Sequence, residues 1–177
     1  MRPTKRHSFY LFQRIIFIMI ILAIDPGVER LGVAILTKKK HAIITCEMSD
    51  TIITPKLSSQ SARIGLIYRK ISAICTKFRP NQIVLERVFF AKNVKTAVAV
   101  AQVQGIIYLL GHKLKLEVTE ITPNELKSAV TGYGGADKIA IKKMVDLQIK
   151  LQRKKRLDDE YDAIACGFAY LLKQRYS

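Results

Sequence analysis

The stretch "IIFIMIILAIDPGVERLGVAIL", residues 15–36, decides how the rest of the chain is read. Ten apolar residues lead to one acidic side chain, Asp25, followed at once by Pro26 and Gly27 and then by "LGVAIL". Behind the basic "MRPTKRH", the apolar run has the outline of an export signal. It is too short for a membrane-spanning helix, which takes ~20 residues. No small-residue cleavage pattern follows it, and cleavage there would part Asp25 from its strand. The run is rich in Ile, a β-branched residue suited to a strand covered on both faces. We therefore read it as the first strand of a sheet, holding Asp25 at its end. Met19 opens "MIILAIDPG", so residues 1–18 are expected to be an N-terminal extension or a mis-assigned start, and residues 19–177 a single domain.

Outward from that stretch, "LGVAILT" (31–37) and "KHAIITCEMSD" (40–50) read as two more strands. The "KKK" between them marks a hairpin tip, so the first three strands should form an antiparallel meander. Apolar residues at 3–4 spacing in "KLSSQSARIGLIYRKISAICTKF" (56–78) predict an amphipathic helix, which Pro80 closes. A buried strand, "QIVLERVFF" (82–90), follows. Next comes an almost wholly apolar helix expected to be central (95–112), then a short strand (114–121). "TPNELKSAVTG" is a punctuated helix, with Thr122 as N-cap, Pro123 at the first helical position and Gly132 past the end. Further helices are expected over 136–150 and 157–176, the last with Asp158 available as N-cap. This order gives an α/β fold, a mixed sheet of three antiparallel strands followed by parallel ones, flanked by helices.

The composition, 49% hydrophobic and 25% charged, is that of a globular fold and excludes wholesale disorder. Thirty Lys and Arg (30) against 14 Asp and Glu leave a charge of +16 at pH 7. Such a balance points to a polyanion, above all nucleic acid; the alternative is charge kept for solubility. Cys46, Cys75 and Cys166 are widely spaced and form no CxxC, so they read as reduced, buried thiols of a cytoplasmic protein rather than a disulfide frame or zinc site.

Four carboxylates stand where solvated surface charges would not. Asp25 and Glu86 each end an apolar strand. Asp159 and Asp162, three apart, share one face of a helix whose continuation, "AIACGFAYLL", is nearly all apolar. Taken singly, Asp25 reads as well as an Asp-Pro turn residue, Glu86 as strand-end punctuation, and the acidic start at 158–160 as a complement to the helix dipole. Brought together by a fold, the four would repel one another and be costly to desolvate. A divalent cation resolves that conflict, and all-oxygen donors without His or Cys favour Mg²⁺, with Mn²⁺ as substitute.

"ILAIDPGVERLGVAIL", "IVLERVFFAKNVKTAVAVAQVQG", "TPNELKSAVTGYGGADK" and "DDEYDAIACG" resemble, in order and spacing, the four motif blocks of the RuvC family of Holliday junction resolvases. The resemblance implies a ribonuclease H-like nuclease domain over 19–177. It also implies a homodimer that nicks four-way junction DNA symmetrically in recombination and repair. It assigns the catalytic and metal-binding tetrad to Asp25, Glu86, Asp159 and Asp162. Two Mg²⁺ per subunit would hydrolyse the phosphodiester, one cation activating water and the other stabilising the leaving oxygen. Phe89 matches the family's wedge at the junction crossover, with Lys92 and Asn93 alongside, and an aromatic there can stack on an unpaired base. Lys127 and Lys138 match lysines near the scissile phosphate. RuvA and RuvB, the family's branch-migration motor, are the further partners it suggests.

Residues 138–156 carry eight Lys or Arg against the single Asp146, and "RKKR" (153–156) is expected to contact DNA backbone. The chain departs from the family in its N-terminal extension and in the glycines of "GYGGADK". Other readings are a ribonuclease H-fold nuclease with another branched or hybrid substrate, and a non-catalytic junction binder. An intact tetrad argues against the second, and no membrane partner is expected.

Overall fold

The computed structural model describes residues 18–39, 43–87, 94–151 and 154–174, with 94–96 described by backbone alone. Their elements are β1 (Met19–Asp25), β2 (Arg30–Lys38), β3 (Thr45–Ile53), α1 (Gln60–Phe78), β4 (Gln82–Glu86), α2 (Val94–Leu114), β5 (Glu117–Ile121), α3 (Pro123–Thr131), α4 (Lys138–Gln148) and α5 (Asp158–Lys173). The sheet runs β3-β2-β1-β4-β5. β1, β2 and β3 form the expected antiparallel meander, and β4 and β5 join β1 in parallel.

Both faces of the sheet are covered, and the two-residue period of a strand sorts its side chains between two cores. Ile21 and Ala23 of β1, Ala34 and Leu36 of β2 and Val84 of β4 face α5. Leu22, Ile24, Val33, Ile35, Ile83 and Leu85 face α1 and α2, where Ile67, Ile71, Val103 and Ile107 meet them. This accounts for the nearly continuous apolar runs in β1 and β4.

α5, and not α2, is the central helix. Every residue from Ala163 to Leu171 is buried. Gly167 brings α5 onto the sheet, since a Cβ there would stand 2.7 Å from the Ala23 Cβ. α2 leaves Val98, Tyr108 and Leu109 exposed. Its segment Ala97–Leu114 is long and apolar enough to cross a membrane by composition, yet Val103, Ile107 and Leu110 pack into the core. High apolar content was thus a poor guide to depth, because three or four residues per two turns are enough to seat a helix.

Other boundaries shift for local reasons. β3 runs three residues beyond Asp50 because Thr51 and Ile52 stay buried, with a register shift opposite Ile35 and Leu36. α1 waits for Ser59, whose side chain accepts from the Ala62 N–H. α3 has the expected Thr122–Glu125 capping box and Gly132 in the left-handed conformation that ends it. Asp158 is not the cap of α5. Leu157 is, without a side-chain cap bond, and Asp158 is already the first helical residue.

Candidate active site

Alternation along β1 carries Asp25 onto the face already held by Ile21 and Ala23, the one covered by α5. In the neighbouring parallel strand Leu85 is opposite Ile24, so Glu86 follows beside Asp25, on the face marked by Val84. On the other side of the cleft stands the start of α5, with Asp159 in its first turn and Asp162 just after it. Gly32 pairs with Asp25 across β1 and β2, and a Cβ on it would lie 1.9 Å from the Asp159 carbonyl oxygen. Only glycine allows α5 to begin this close to the sheet.

The result is a cleft of about 600 Å³ lined by all four carboxylates, by Arg87 of the β4 end, by Lys127 of α3 and by Lys138 of α4. Among the sequence-predicted DNA contacts, Lys127 and Lys138 are thereby placed at the site. Phe89, Lys92 and Asn93 lie outside the described residues.

Electrostatics bind the group together. Burial first, and then the Asp162 and Asp159 carboxylates, push Asp25 up to about 7, with Lys138 opposing. Burial, Asp25 and Asp162 likewise push Glu86 up to about 7. Such shifts mean that ionising the pair without a counter-cation is costly. The helix carboxylates are already partnered. Asp162 accepts from the Lys138 ammonium at 2.8 Å, a bond that raises the lysine above its ordinary value. Asp159 accepts from the Arg30 guanidinium, with Nε at 2.8 Å. Among the described residues no three His, Cys, Asp or Glu stand close enough to grip one ion as they are placed. Asp159 and Asp162 face the same cleft as Asp25 and Glu86 but are drawn toward their own bases.

The donor set still fits a hard divalent cation: four carboxylates, two of them disfavoured as anions by burial and by one another. Arg30 and Lys138 show how positive charge is accepted there.

Sequence reasoning missed several residues. Arg30 sits 129 positions from Asp159, and no spacing signals such a pair. Arg87 is held at the lip of the cleft by Glu120, whose carboxylate also accepts from the Tyr108 hydroxyl. Glu160 is buried and binds Ser49 and Lys154. Its place between two site aspartates, one step around the helix, was a usable signal. Two basic residues of "RKKR" also bind within the protein: Lys154 donates to the Ser49 carbonyl and Arg156 to the Ser49 hydroxyl. Lys155 is exposed.

Residues 21–170 match the family described as crossover junction endodeoxyribonuclease RuvC. A curated protein of that description from Dictyoglomus thermophilum is 36% identical over 88% of this chain and 98% of its own length. Another from Halothermothrix orenii is 35% identical over 89% and 98%. Among solved structures, the fold matches T. thermophilus RuvC in complex with a Holliday junction substrate, with a TM-score of 0.81 at 23% identity, covering 87% of this chain and 93% of that one.

Proposed function

Since the chain belongs to the RuvC family of crossover junction endodeoxyribonucleases, we propose that it resolves four-way DNA junctions by cation-dependent phosphodiester hydrolysis at the cleft of Asp25, Glu86, Asp159 and Asp162. The observation that carries this reading is that Asp25, Glu86, Asp159 and Asp162 line one cleft with Lys127 and Lys138 beside them; the upward push on Asp25 and Glu86 supports it. The four carboxylates would hold Mg²⁺, two ions per subunit, with Mn²⁺ able to replace it. Bound there, divalent cations supply Lewis acidity toward water, phosphate and leaving oxygen.

The chain's own residues do the rest. Asp25 and Glu86, fixed at the ends of paired strands, give a rigid half of the site, while Asp159 and Asp162 give the half mounted on α5. Lys138 and Arg30 neutralise that second half in the free protein. With a cation bound at the carboxylates, the Lys138 and Arg30 charges would be available to the phosphates of the strand being cut. Lys127, half-buried in the cleft wall, offers a third positive group to the same strand. Phe89, with Lys92 and Asn93, is proposed to meet the unpaired bases at the crossover.

A four-way junction has two-fold symmetry, so paired nicks need two sites related by a two-fold axis. A homodimer supplies them. RuvA and RuvB remain the proposed motor partners.

The test is cleavage of an immobile synthetic junction beside linear duplex, with Mg²⁺, with EDTA, and with Asp162→Asn. Paired nicks confined to the junction, absent in EDTA and in the variant, are expected. Equal cutting of duplex overturns the substrate, and cutting by Asp162→Asn overturns the site.

A further inference from the structure

The start of α5 carries half of the candidate metal site, yet nothing caps it in the ordinary way. Leu157 occupies the cap position with no side-chain acceptor for the free N–H groups. A helix start of that kind frays unless something else holds it. What holds this one is Glu160, the third residue of the helix and only 5% exposed. One carboxylate oxygen accepts from the Ser49 hydroxyl of β3 at 2.8 Å and pairs with the Lys154 ammonium at 2.7 Å. The other reaches back toward the Leu157 N–H at 3.5 Å. Lys154 closes the loop by donating to the Ser49 carbonyl at 2.7 Å, and Arg156 donates to the Ser49 hydroxyl at 3.1 Å.

Every member of this network lies either in β3 or within the segment 154–160. It ties the entry of α5 to the sheet from the side away from the cleft. Asp159 and Asp162 flank Glu160 in sequence and project to the cleft side, where they meet Arg30 and Lys138. β3 is joined through β2 to β1, the strand that carries Asp25. Gly32 sets how close α5 comes to the sheet; Glu160 fixes the turn at that distance.

We propose that Glu160, clamped by Ser49 and Lys154, is a positioning residue that sets the separation between the sheet carboxylates and the α5 carboxylates, and so the cation affinity of the site. This rests on the reading of Asp25, Glu86, Asp159 and Asp162 as the cation site. Glu160 itself touches neither cation nor DNA. Removing a group that orients metal-binding carboxylates costs ~10–100-fold in metal affinity or activity.

The experiment compares the wild-type chain with Glu160→Ala, Glu160→Gln and Lys154→Met. It reads Mg²⁺ binding by calorimetry, the Mg²⁺ midpoint of junction cleavage, junction affinity in EDTA, and amide exchange in the first turn of α5. For Glu160→Ala the expected result is a Mg²⁺ midpoint raised ~10–100-fold, faster exchange confined to that turn, and unchanged junction affinity. Glu160→Gln keeps an acceptor for Ser49 and should shift less. Lys154→Met leaves the Glu160–Ser49 bond and should shift in the same direction, which covers the case of an unfolded alanine variant. A Mg²⁺ midpoint equal to wild type overturns the proposal, whether first-turn exchange is unchanged or faster and whether or not overall stability falls. A wild-type chain that leaves the junction uncut overturns the underlying site reading instead, and the calorimetry tells the two failures apart.

Discussion

Asp25 and Glu86 sit at about 7 where ordinary carboxyls titrate near 4, chiefly because they are buried. A raised acid binds its proton more tightly in the folded chain than in the unfolded one. Its contribution to stability is therefore intact below pH ~4 and lost as pH rises through the folded value near 7. Each unit of such a shift corresponds to roughly 1.4 kcal/mol. In EDTA the thermal midpoint of the wild-type chain should thus fall between about pH 4 and 7, beyond any fall seen in Asp25→Asn. Mg²⁺ at pH 8 should restore it in wild type and do little in the variant. Asn has no proton to lose and no charge to offer a cation, so one substitution raises cation-free stability and abolishes cleavage. Melting curves across pH, with and without Mg²⁺, check both. A pH-independent difference between wild type and variant would show that the two carboxyls are not the source.

At the scale of elements, the site depends on how closely α5 lies against β1 and β2, and two glycines set that distance. Gly32→Ala would place a methyl group 1.9 Å from the Asp159 carbonyl oxygen, so the helix start has to move. Overpacking of this sort costs roughly 1–3 kcal/mol. The loss should fall more heavily on cleavage than on stability, because Asp159 and Asp162 move with the helix. Melting and cleavage compared for Gly32→Ala and Gly167→Ala test this. Gly167 meets the sheet farther along α5, so its variant should lose stability while keeping more of its Mg²⁺ response. The strands ending in Asp25 and Glu86 were legible in the chain because apolar runs and a tight turn are local signals. So was α3, whose Thr122, Pro123 and Gly132 announce both ends. The convergence of the four carboxylates was not local, and the family resemblance supplied it. Invisible too were Arg30 beside Asp159, Gly32 beneath the helix start, and Glu160 tied to Ser49. Each joins positions more than a hundred residues apart and shows only once the sheet order is known. Composition misled at α2, where apolar content suggested depth and the helix keeps one face to solvent.

For the whole molecule, the question is how a chain of charge +16 meets a polyanion through a cleft of carboxylates. Lys127 and Lys138 line that cleft, and α4, which carries Lys138, also exposes Lys142 and Lys143. Lys142 also lies over the Tyr161 ring, 4.4 Å from its centre, which holds the ammonium near the start of α5. Lysines that neutralise phosphates release counterions, so junction affinity should fall steeply with salt. Removing one such contact should lower the slope of log affinity against log salt by about 1. Measured in EDTA, Lys142→Gln and Lys143→Gln should each show that reduction. Lys154→Met should not, although it removes the same formal charge, because that ammonium is committed to Glu160 and Ser49. The contrast separates phosphate contact from bulk charge. If all three variants changed the slope alike, net charge alone would govern binding, and the face made by α4 would have no special role. If Lys154→Met alone changed it, the DNA would run along the segment before α5, and the path across α4 would be wrong.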